Sequence, residues 1–340
     1  MNIYEQQAGN KRMTWLIVSA FVAFFLLIGF GFDVFVLGTR MGGFNAPAQA
    51  GDYSGTYGGG RQRRQGPLNK TGFPIGTFVA LAAGAVMVFN SAANGPRMVL
   101  QSSGAFPADP QNPEHRQFLN VLEEMKIASG LPMPKAFVIP DQDPNAFATG
   151  FSPENSYVAV TEGLLKTLSR DELQGVVAHE MSHVRNLDIR LMTMVAALAG
   201  AILLISDFAL RMGGMRRASR DSGGGKGNVF GLIIWLAVLI LAPLITNLMA
   251  MAISRRREYL ADASAAELTR NPMGLASALE KIRKAAAPTR AIKQGVAHMC
   301  IEDPRGASAE DGTGFLSDLF STHPPVAKRI EALRAMAYIK

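Results

Sequence analysis

The chain has 340 residues, of which 48% are hydrophobic and 18% are charged, and its formal net charge is +7. The charged fraction lies below the roughly 25% typical of soluble domains, and the mean hydropathy of +0.14 indicates a membrane protein. Lysines and arginines cluster at the ends of apolar runs, which favours lipid-facing flanks over a nucleic-acid surface. Cys300 is the only cysteine, so an intrachain disulfide and a thiolate metal cluster are excluded.

The N-terminal region, residues 1–94, contains two apolar runs. Each of them, Trp15–Leu37 and Phe73–Ala93, is long enough to cross a bilayer as a helix. A cleaved signal peptide is the alternative for the first run, because residues 48–50 resemble an A-x-A cleavage site. The run is too long and the site too distant for that reading, so an uncleaved anchor is predicted. Residues 38–72 are rich in Gly and Arg and predict a flexible, solvated loop.

The next region, residues 95–188, has the pattern of a soluble domain. Apolar residues at helical spacing predict a helix over His115–Ala128, and Ala136–Ile139 is typical of a short strand. Asn145–Gly150 and Tyr157–Thr161 predict a pair of strands. The expected fold is therefore mainly α with a small β-sheet.

A metal-binding pattern follows on a predicted helix, at His179-Glu180-Met181-Ser182-His183. Histidines at i and i+4 share one helix face, so both imidazoles can reach one zinc ion. Glu180 can then act as the general base of a metallopeptidase by taking a proton from an activated water. Ser169 and Glu172 predict a capping box at the start of this helix. The pattern also fits a surface helix with two unrelated histidines, so the rest of the chain has to support it.

The third region, residues 189–253, contains two further apolar runs, Leu191–Ala209 and Val229–Ile253. They predict a transmembrane hairpin, which brings the expected number of transmembrane helices to about four. A buried hairpin of a soluble protein is the alternative.

The last region, residues 254–340, is polar again and begins with an Arg-rich segment that carries Glu258 and Asp262. At i and i+4 on a helix, these two carboxylates lie on one side. One of them can bind the metal, and the other can hold a ligating histidine through its second ring nitrogen.

Five segments together resemble the HtpX family of membrane zinc metalloproteases, relatives of the eukaryotic CAAX prenyl proteases. Their order and spacing, and the apolar runs between them, agree with that family over nearly the whole chain. The segments are Asn145–Gly150, Val160–Leu165, His179–His183, Arg256–Asp262 and Ser321–Pro325. The departure is the loop at residues 38–72, which is longer and more basic than the family leads one to expect.

The resemblance implies a zincin-like catalytic domain with one Zn²⁺ per chain and Glu180 as its base. The metal ligands that it implies are His179, His183 and Glu258. It implies further that Asp262 supports a ligand and that His323 and Arg329 lie near the metal, where Arg329 can anchor Asp262. His323 is expected to donate a hydrogen bond to the oxyanion of the transition state. Substrate is expected to lie extended along an edge strand that includes Asn145, Ala146, Phe147 and Ala148.

The expected function is peptide-bond hydrolysis in the quality control of misfolded or damaged membrane proteins. The expected partners are unfolded or membrane proteins and the lipid bilayer, with no nucleic acid, and the sequence gives no oligomeric state. One alternative is a processing protease for a lipidated or peptide substrate. The other is a non-catalytic scaffold with structural zinc, against which the intact Glu180 argues, because a structural site needs no base.

The metal site restricts the membrane topology. Because Glu258 has to meet the two histidines, the regions on either side of the hairpin lie on the same side of the membrane. Basic residues flank both faces, and the positive-inside rule weakly favours the catalytic region outside. The resemblance implies instead a multi-pass protein of a bacterial inner membrane with its catalytic domain in the cytoplasm, and this is the orientation expected.

Overall fold

The computed structural model describes residues 3–35, 74–198, 255–284, 299–301 and 324–338. It begins with two long helices, α1 (Ile3–Phe35) and α2 (Ile75–Ser102). By length and composition both can cross a membrane, with mean hydropathies of 2.4 and 1.8 in their most apolar stretches. Within the described residues, the first two apolar runs are therefore helical over 15–35 and 75–93. Of the other two runs, residues 191–198 are helical and the rest lies outside the described residues.

Both helices are longer than the apolar runs that predicted them. α1 includes the polar residues ahead of Trp15, and α2 continues through Pro96 to Ser102, past the boundary expected at residue 94. Helical hydrogen bonds do not require apolar side chains, so a helix can extend from the bilayer into water where no breaking residue intervenes.

The chain forms two compact units, one of which contains α1 from Val18 and α2 up to Met87. The two helices pack closely there, since a Cβ on Gly29 would lie only 2.6 Å from Thr77 Cα. Asp33 accepts hydrogen bonds from the backbone N–H groups of Gly76 and Thr77, both at 2.7 Å, and from the Thr77 hydroxyl at 2.6 Å. This carboxylate satisfies donors that the first turn of α2 would otherwise leave unpaired.

The other unit holds a four-stranded sheet with the order β1-β2-β4-β3. Its strands are β1 (Phe106–Pro107), β2 (Lys135–Ile139), β3 (Ala146–Ser152) and β4 (Asn155–Thr161). β2 and β4 are parallel, whereas β1 and β2, and β3 and β4, are antiparallel. The predicted strand pair thus forms a hairpin, and the strand order leaves β3 at an edge of the sheet.

Helices of this unit pack against both faces of the sheet, because two separate groups of buried apolar residues alternate along its strands. The helices are α3 (Pro113–Ser129), α4 (Glu162–Thr167), α5 (Arg170–Arg185), α6 (Arg255–Thr269), α7 (Pro272–Lys284) and α8 (Val326–Ala337), and residues 188–198 are helical as well. The predicted helix around His115–Ala128 is α3, which the Asn112 side chain caps at its start and Gly130 ends with a φ of 69°. The described architecture is mostly helical with a small mixed sheet.

α5 is the central helix of the unit. Leu173, Val176 and Met181 are buried in a core shared with α3, the sheet and α7. Gly175 allows α7 to approach closely, because a Cβ there would lie 2.7 Å from the backbone nitrogen of Leu275. The helix that carries the metal-binding pattern is therefore fixed on several sides, which limits the freedom of its side chains.

Candidate metal centre

The two histidines of the metal-binding pattern meet on the buried face of α5. Their Nε2 atoms lie 3.2 Å apart, and the two rings are nearly perpendicular, at 89°. The start of the helix is fixed by the predicted cap, in which the Ser169 N–H donates to Glu172 Oε2 at 2.7 Å. Both rings are buried, which is unlike the surface helix of the alternative interpretation.

Glu258 on α6 completes a group of three side chains that could hold a metal ion. Its Oε2 lies 3.7 Å from His179 Nε2, and its Oε1 lies 3.7 Å from His183 Nε2. The three ligand atoms lie within 4.8 Å of one another and all three residues are buried. Two imidazoles and a carboxylate form a donor set that suits zinc and leaves a coordination position open for chemistry.

A carboxylate stands behind each histidine. His179 Nδ1 lies 3.0 Å from Asp262 Oδ1, and His183 Nδ1 lies 3.0 Å from Asp188 Oδ2. Each carboxylate favours a proton on Nδ1 and so leaves Nε2 as the atom that can bind a metal. Asp262 was predicted as such a support, whereas sequence reasoning missed Asp188.

Asp188 was missed because of the backbone between it and His183. α5 ends at Arg185, and Leu187 has a φ of +59°, in the left-handed region that is uncommon for a residue other than glycine. Helical spacing therefore does not apply from His183 to Asp188. The pattern of the sequence offers no signal that Asp188 returns to the histidine.

Arg329 on α8 is fully buried beside the same group. It donates from Nε to Asp262 Oδ2 at 2.9 Å and from Nη2 to Asp262 Oδ1 at 2.7 Å, and its Nη1 donates to the Ile301 carbonyl at 3.1 Å. Burial opposes ionisation of Asp262, but the Arg329 charge and hydrogen bonds lower the pKa of Asp262 to about 2. The predicted anchoring of Asp262 by Arg329 agrees with this geometry.

The pKa values of the two histidines move in opposite directions in the metal-free protein. Burial lowers the pKa of His179, and the hydrogen bond to Asp262 offsets this only in part. Burial also acts to lower the pKa of His183, but Asp188, Glu258 and Glu180 together raise it to about 9. Metal binding requires a neutral imidazole, so it competes with the proton that the raised pKa of His183 favours.

Glu180 lies next to the ligands but does not belong to their group. Its side chain is buried, and its carboxylate accepts a hydrogen bond from the Ala148 N–H of the edge strand. Within the described residues, the Oε2 atom of Glu180 has no hydrogen-bond partner. Burial, and to a smaller extent the charge of Glu258, raise the pKa of Glu180 to about 7. A buried carboxylate with an uncommitted oxygen and a pKa near neutrality suits a general base.

The charges of the site fit a divalent cation. Four buried carboxylates, Glu180, Asp188, Glu258 and Asp262, face two guanidinium groups, Arg257 and Arg329. In the protonation state that a bound metal requires, with neutral histidines and ionised carboxylates, these described residues carry a net charge of about −2. Uncompensated buried charge is costly, and a bound dication removes the cost.

The residues predicted to bind substrate form the start of the edge strand and are buried. Asn145 Oδ1 accepts the Ala146 N–H at 3.0 Å, and Ile301 donates its N–H to the Ala146 carbonyl at 2.9 Å. An antiparallel bridge also pairs Phe147 with Cys300. Part of the β3 edge is therefore already paired with the described residues 299–301, a pairing that no pattern in the sequence predicts. His323 lies outside the described residues.

Comparison with known proteins identifies the family. The model of peptidase family M48 matches residues 112–337. A protease HtpX homolog of Streptococcus gordonii is 38% identical over 338 residues, which cover 98% of this chain and 100% of the relative. A protease HtpX homolog of Caldanaerobacter subterraneus subsp. tengcongensis is 45% identical over 245 residues, or 71% and 78% of the two chains. The crystal structure of S. mikatae Ste24p matches with a TM-score of 0.46 and 19% identity, covering 75% of this chain and 57% of that one.

The matched residues include the two histidines, Glu258 and Asp262, together with Glu180 and Arg329. The Streptococcus gordonii relative matches 98% of the chain, which includes the two apolar helices. The protein is a metallopeptidase, and its apolar helices fit a membrane protease. The chain belongs to peptidase family M48, among the HtpX proteases.

Proposed function

We propose that this protein is a zinc-dependent endopeptidase of a bacterial inner membrane that degrades misfolded or damaged membrane proteins. The observation that carries the proposal is the buried group of His179, His183 and Glu258. Glu180 lies next to this group without being one of its three members. A structural zinc site usually closes its fourth position with another protein ligand and has no use for an adjacent base. The arrangement therefore favours catalysis over a scaffold.

The positions of these residues indicate which chemical role the metal would have and which roles the side chains would have. Zinc, held by the two histidines and Glu258, would polarise a water and the scissile carbonyl. Glu180 takes the proton of the attacking water, for which its raised pKa is suited, and passes it to the leaving amine. Asp188 and Asp262 keep the histidines oriented through Nδ1.

Substrate is proposed to lie extended along β3. The Ala148 N–H lies next to Glu180, so a backbone paired with this strand would bring a peptide bond to the base. Main-chain pairing recognises an extended chain and tolerates many side chains, which suits the removal of unfolded segments. Residues 299–301 already pair with Ala146 and Phe147, so substrate has to displace them or use the strand beyond Phe147.

The proposed location is multi-pass in the inner membrane, with about four transmembrane helices and a cytoplasmic catalytic domain. The length and apolar composition of α1 and α2 support insertion of these helices into a bilayer, and the similarity to bacterial HtpX proteases supports a bacterial membrane as the location. Cysteines introduced at Ser54 and Ser222 in a Cys300→Ser background test the orientation. Both should react with an impermeant thiol reagent added outside intact cells, and reaction only from the cytoplasmic side would reverse the proposed orientation.

The activity is tested with detergent-purified protein, zinc and casein as an unfolded substrate. The wild type should cleave casein, a chelator should stop cleavage, and added zinc should restore it. Glu180→Gln should be inactive, whereas Glu123→Gln, an exposed position on α3, should act as wild type. A Glu180→Gln protein that cleaves at the wild-type rate would overturn the proposed mechanism.

The same digests distinguish a narrow processing protease from a general one. Cleavage of casein at many unrelated positions supports quality control. Failure to cut casein, combined with cutting of one lipidated or defined peptide, supports the processing enzyme instead.

A further inference from the structure

We infer that Asp188 positions the His183 ligand and that Asn10, near the start of α1, holds Asp188, so that the N-terminal helix is part of the metal centre. This inference rests on the proposed zinc site. Among the described residues, two carboxylates support the two histidines, and they are held in different ways. Arg329 holds Asp262, and an amide from the far end of the chain holds Asp188.

The first step is the position of Asp188. It lies beyond the end of α5 and begins the helical residues 188–198, and it is fully buried. The left-handed φ of Leu187 turns the chain so that Asp188 Oδ2 reaches His183 Nδ1 at 3.0 Å. A non-glycine residue in that conformation is strained and persists only where its surroundings hold it. A contact with a metal ligand is a reason for the turn to be kept.

The second step is the way in which Asn10 uses its side chain. Its Nδ2 donates to Asp188 Oδ1 at 2.6 Å and to the Asn186 carbonyl at 3.0 Å, and its Oδ1 accepts from Arg257 Nη1 at 3.2 Å. Both amide hydrogens and the amide oxygen are thus engaged at a buried position. A residue that only filled space there would not need this chemistry, because a buried amide is tolerated only when it is hydrogen-bonded.

The third step is what Asn10 connects. Arg257 directly precedes the ligand Glu258, and its Nε lies 3.8 Å from Asp188 Oδ1. Asn10 therefore bonds on one side to the turn that follows His183 and on the other to the helix that carries Glu258. Gln7, one helical turn earlier, donates to the Arg185 carbonyl at 2.8 Å and fixes α1 to the end of α5. The start of α1 joins the elements of two proposed ligands.

Zinc affinity measures the proposed role without relying on activity. Full-length protein is stripped of metal, and its zinc dissociation constant is determined by competition with a chromophoric chelator. Asp188→Asn and Asp188→Ala should each bind zinc about 10–100-fold more weakly, the range typical for partners of metal-binding histidines. Asn10→Ala should bind several-fold more weakly than wild type. Asn120→Ala, an exposed asparagine on α3, is the matched control and should bind as wild type.

The double variant shows whether Asn10 acts through Asp188. If it does, Asn10→Ala combined with Asp188→Ala should bind zinc no more weakly than Asp188→Ala alone, because the acceptor is already gone. Fully additive losses would overturn the connection. Unfolding of the metal-free variants is measured in parallel, so that a change in the fold is separated from a change in affinity.

Two further results would overturn the inference. Asp188→Asn with zinc affinity within twofold of wild type would show that Asp188 does not position His183. Asn10→Ala with reduced unfolding temperature but wild-type zinc affinity would show that Asn10 only stabilises the fold. A wild-type protein that binds no zinc would instead refute the proposed function, so the two failures are distinguishable.

Discussion

Arg329 donates two hydrogen bonds to the carboxylate of Asp262, from Nε to Oδ2 and from Nη2 to Oδ1, and both residues are buried. The same guanidinium reaches the Ile301 carbonyl through Nη1 and lies 3.7 Å from Glu258 Oε2. It thereby connects the carboxylate behind His179, the third proposed ligand and the segment that pairs with the edge strand. The fork of a guanidinium is needed for this, since an ammonium group cannot bond to a carboxylate in the same two-point geometry.

We expect Arg329→Met to destabilise the protein by about 3–5 kcal/mol, because it leaves the buried Asp262 charge without its partner. Arg329→Lys should recover only part of the loss. Unfolding followed by circular dichroism in detergent measures both. Arg334→Met on the same helix is the control, because Arg334 pairs with Glu280 at the surface, where an ion pair contributes little. Equal effects at Arg329 and Arg334 would contradict the role given to the buried pair.

Zinc content separates the roles of the two glutamates. Glu180→Gln should retain about one zinc per chain. Its kcat should fall by at least the roughly 10²–10⁴-fold that is typical when a general base is removed. Glu258→Ala should lose zinc affinity because a ligand is missing. Elemental analysis after dialysis measures the metal. Stoichiometric zinc in Glu258→Ala together with none in Glu180→Gln would invert the two assignments.

The metal-binding pattern could be predicted from sequence because its geometry is local. One helical turn separates His179 from His183, and another separates Glu258 from Asp262, so spacing alone places each pair on one face. The edge position of β3 and the anchoring role of Arg329 came from the family resemblance. Strand order and contacts between distant helices depend on the tertiary fold, which a pattern in one sequence does not encode.

Asp188 and Asn10 show where sequence reasoning fails. Asp188 reaches His183 only because of the left-handed turn at Leu187, and Asn10 meets Asp188 across 178 positions of the chain. Neither contact follows from periodicity or spacing. The pairing of residues 299–301 with β3 is equally hidden, since so short a segment has no pattern. The loop at residues 38–72 and most of the third and fourth apolar runs lie outside the described residues.

Acid should weaken the packing of α7 on α5 through Glu172. Its carboxylate accepts from Ser277 Oγ at 2.6 Å and from Lys281 Nζ at 2.7 Å. Burial opposes ionisation, but these bonds lower the pKa of Glu172 from 4.5 to about 2. A carboxyl whose pKa is lower in the folded state stabilises the protein above its unfolded pKa, so this stabilisation is lost as pH falls from about 5 towards 2.

Glu172→Gln tests this dependence. At pH 7 it should lower the free energy of unfolding by about 1.5–3 kcal/mol, the range for hydrogen bonds to charged groups. The difference from wild type should shrink as pH falls towards 2, and thermal unfolding at several pH values measures it. The exposed Glu123→Gln is the control. A difference between Glu172→Gln and wild type that stays constant from pH 7 to pH 2 would show that the charge of Glu172 is not responsible.

His323 is proposed to donate a hydrogen bond to the oxyanion that forms on the scissile carbonyl. Because this charge develops only in the transition state, His323→Ala should retain zinc and much of its substrate binding while kcat falls by about two to three orders of magnitude. Steady-state kinetics on a quenched-fluorescence peptide, with zinc content measured in parallel, provides the test. Cleavage near the wild-type rate at full zinc occupancy would assign His323 a structural role only.

Cys300 provides a built-in probe of how substrate uses the edge strand. It is the only cysteine, it is buried, and it pairs with Phe147 while the neighbouring Ile301 N–H occupies the Ala146 carbonyl. A substrate that pairs with Ala146 competes for that same acceptor. In the inactive Glu180→Gln protein, saturating alkylated casein should therefore increase the rate at which a maleimide labels Cys300, by several-fold or more.

Ile301→Pro is the matching variant, because proline has no N–H to donate to Ala146. It should speed Cys300 labelling in the absence of casein and, in the active protein, increase casein cleavage, since less competition remains at the strand. The control is Ile127→Ala at an exposed position of α3, and it should have neither effect. It shows that the loss of an isoleucine side chain alone is not responsible. If casein is bound and cut while Cys300 labelling stays unchanged, substrate does not displace residues 299–301 and must pair with β3 beyond Phe147 or not at all.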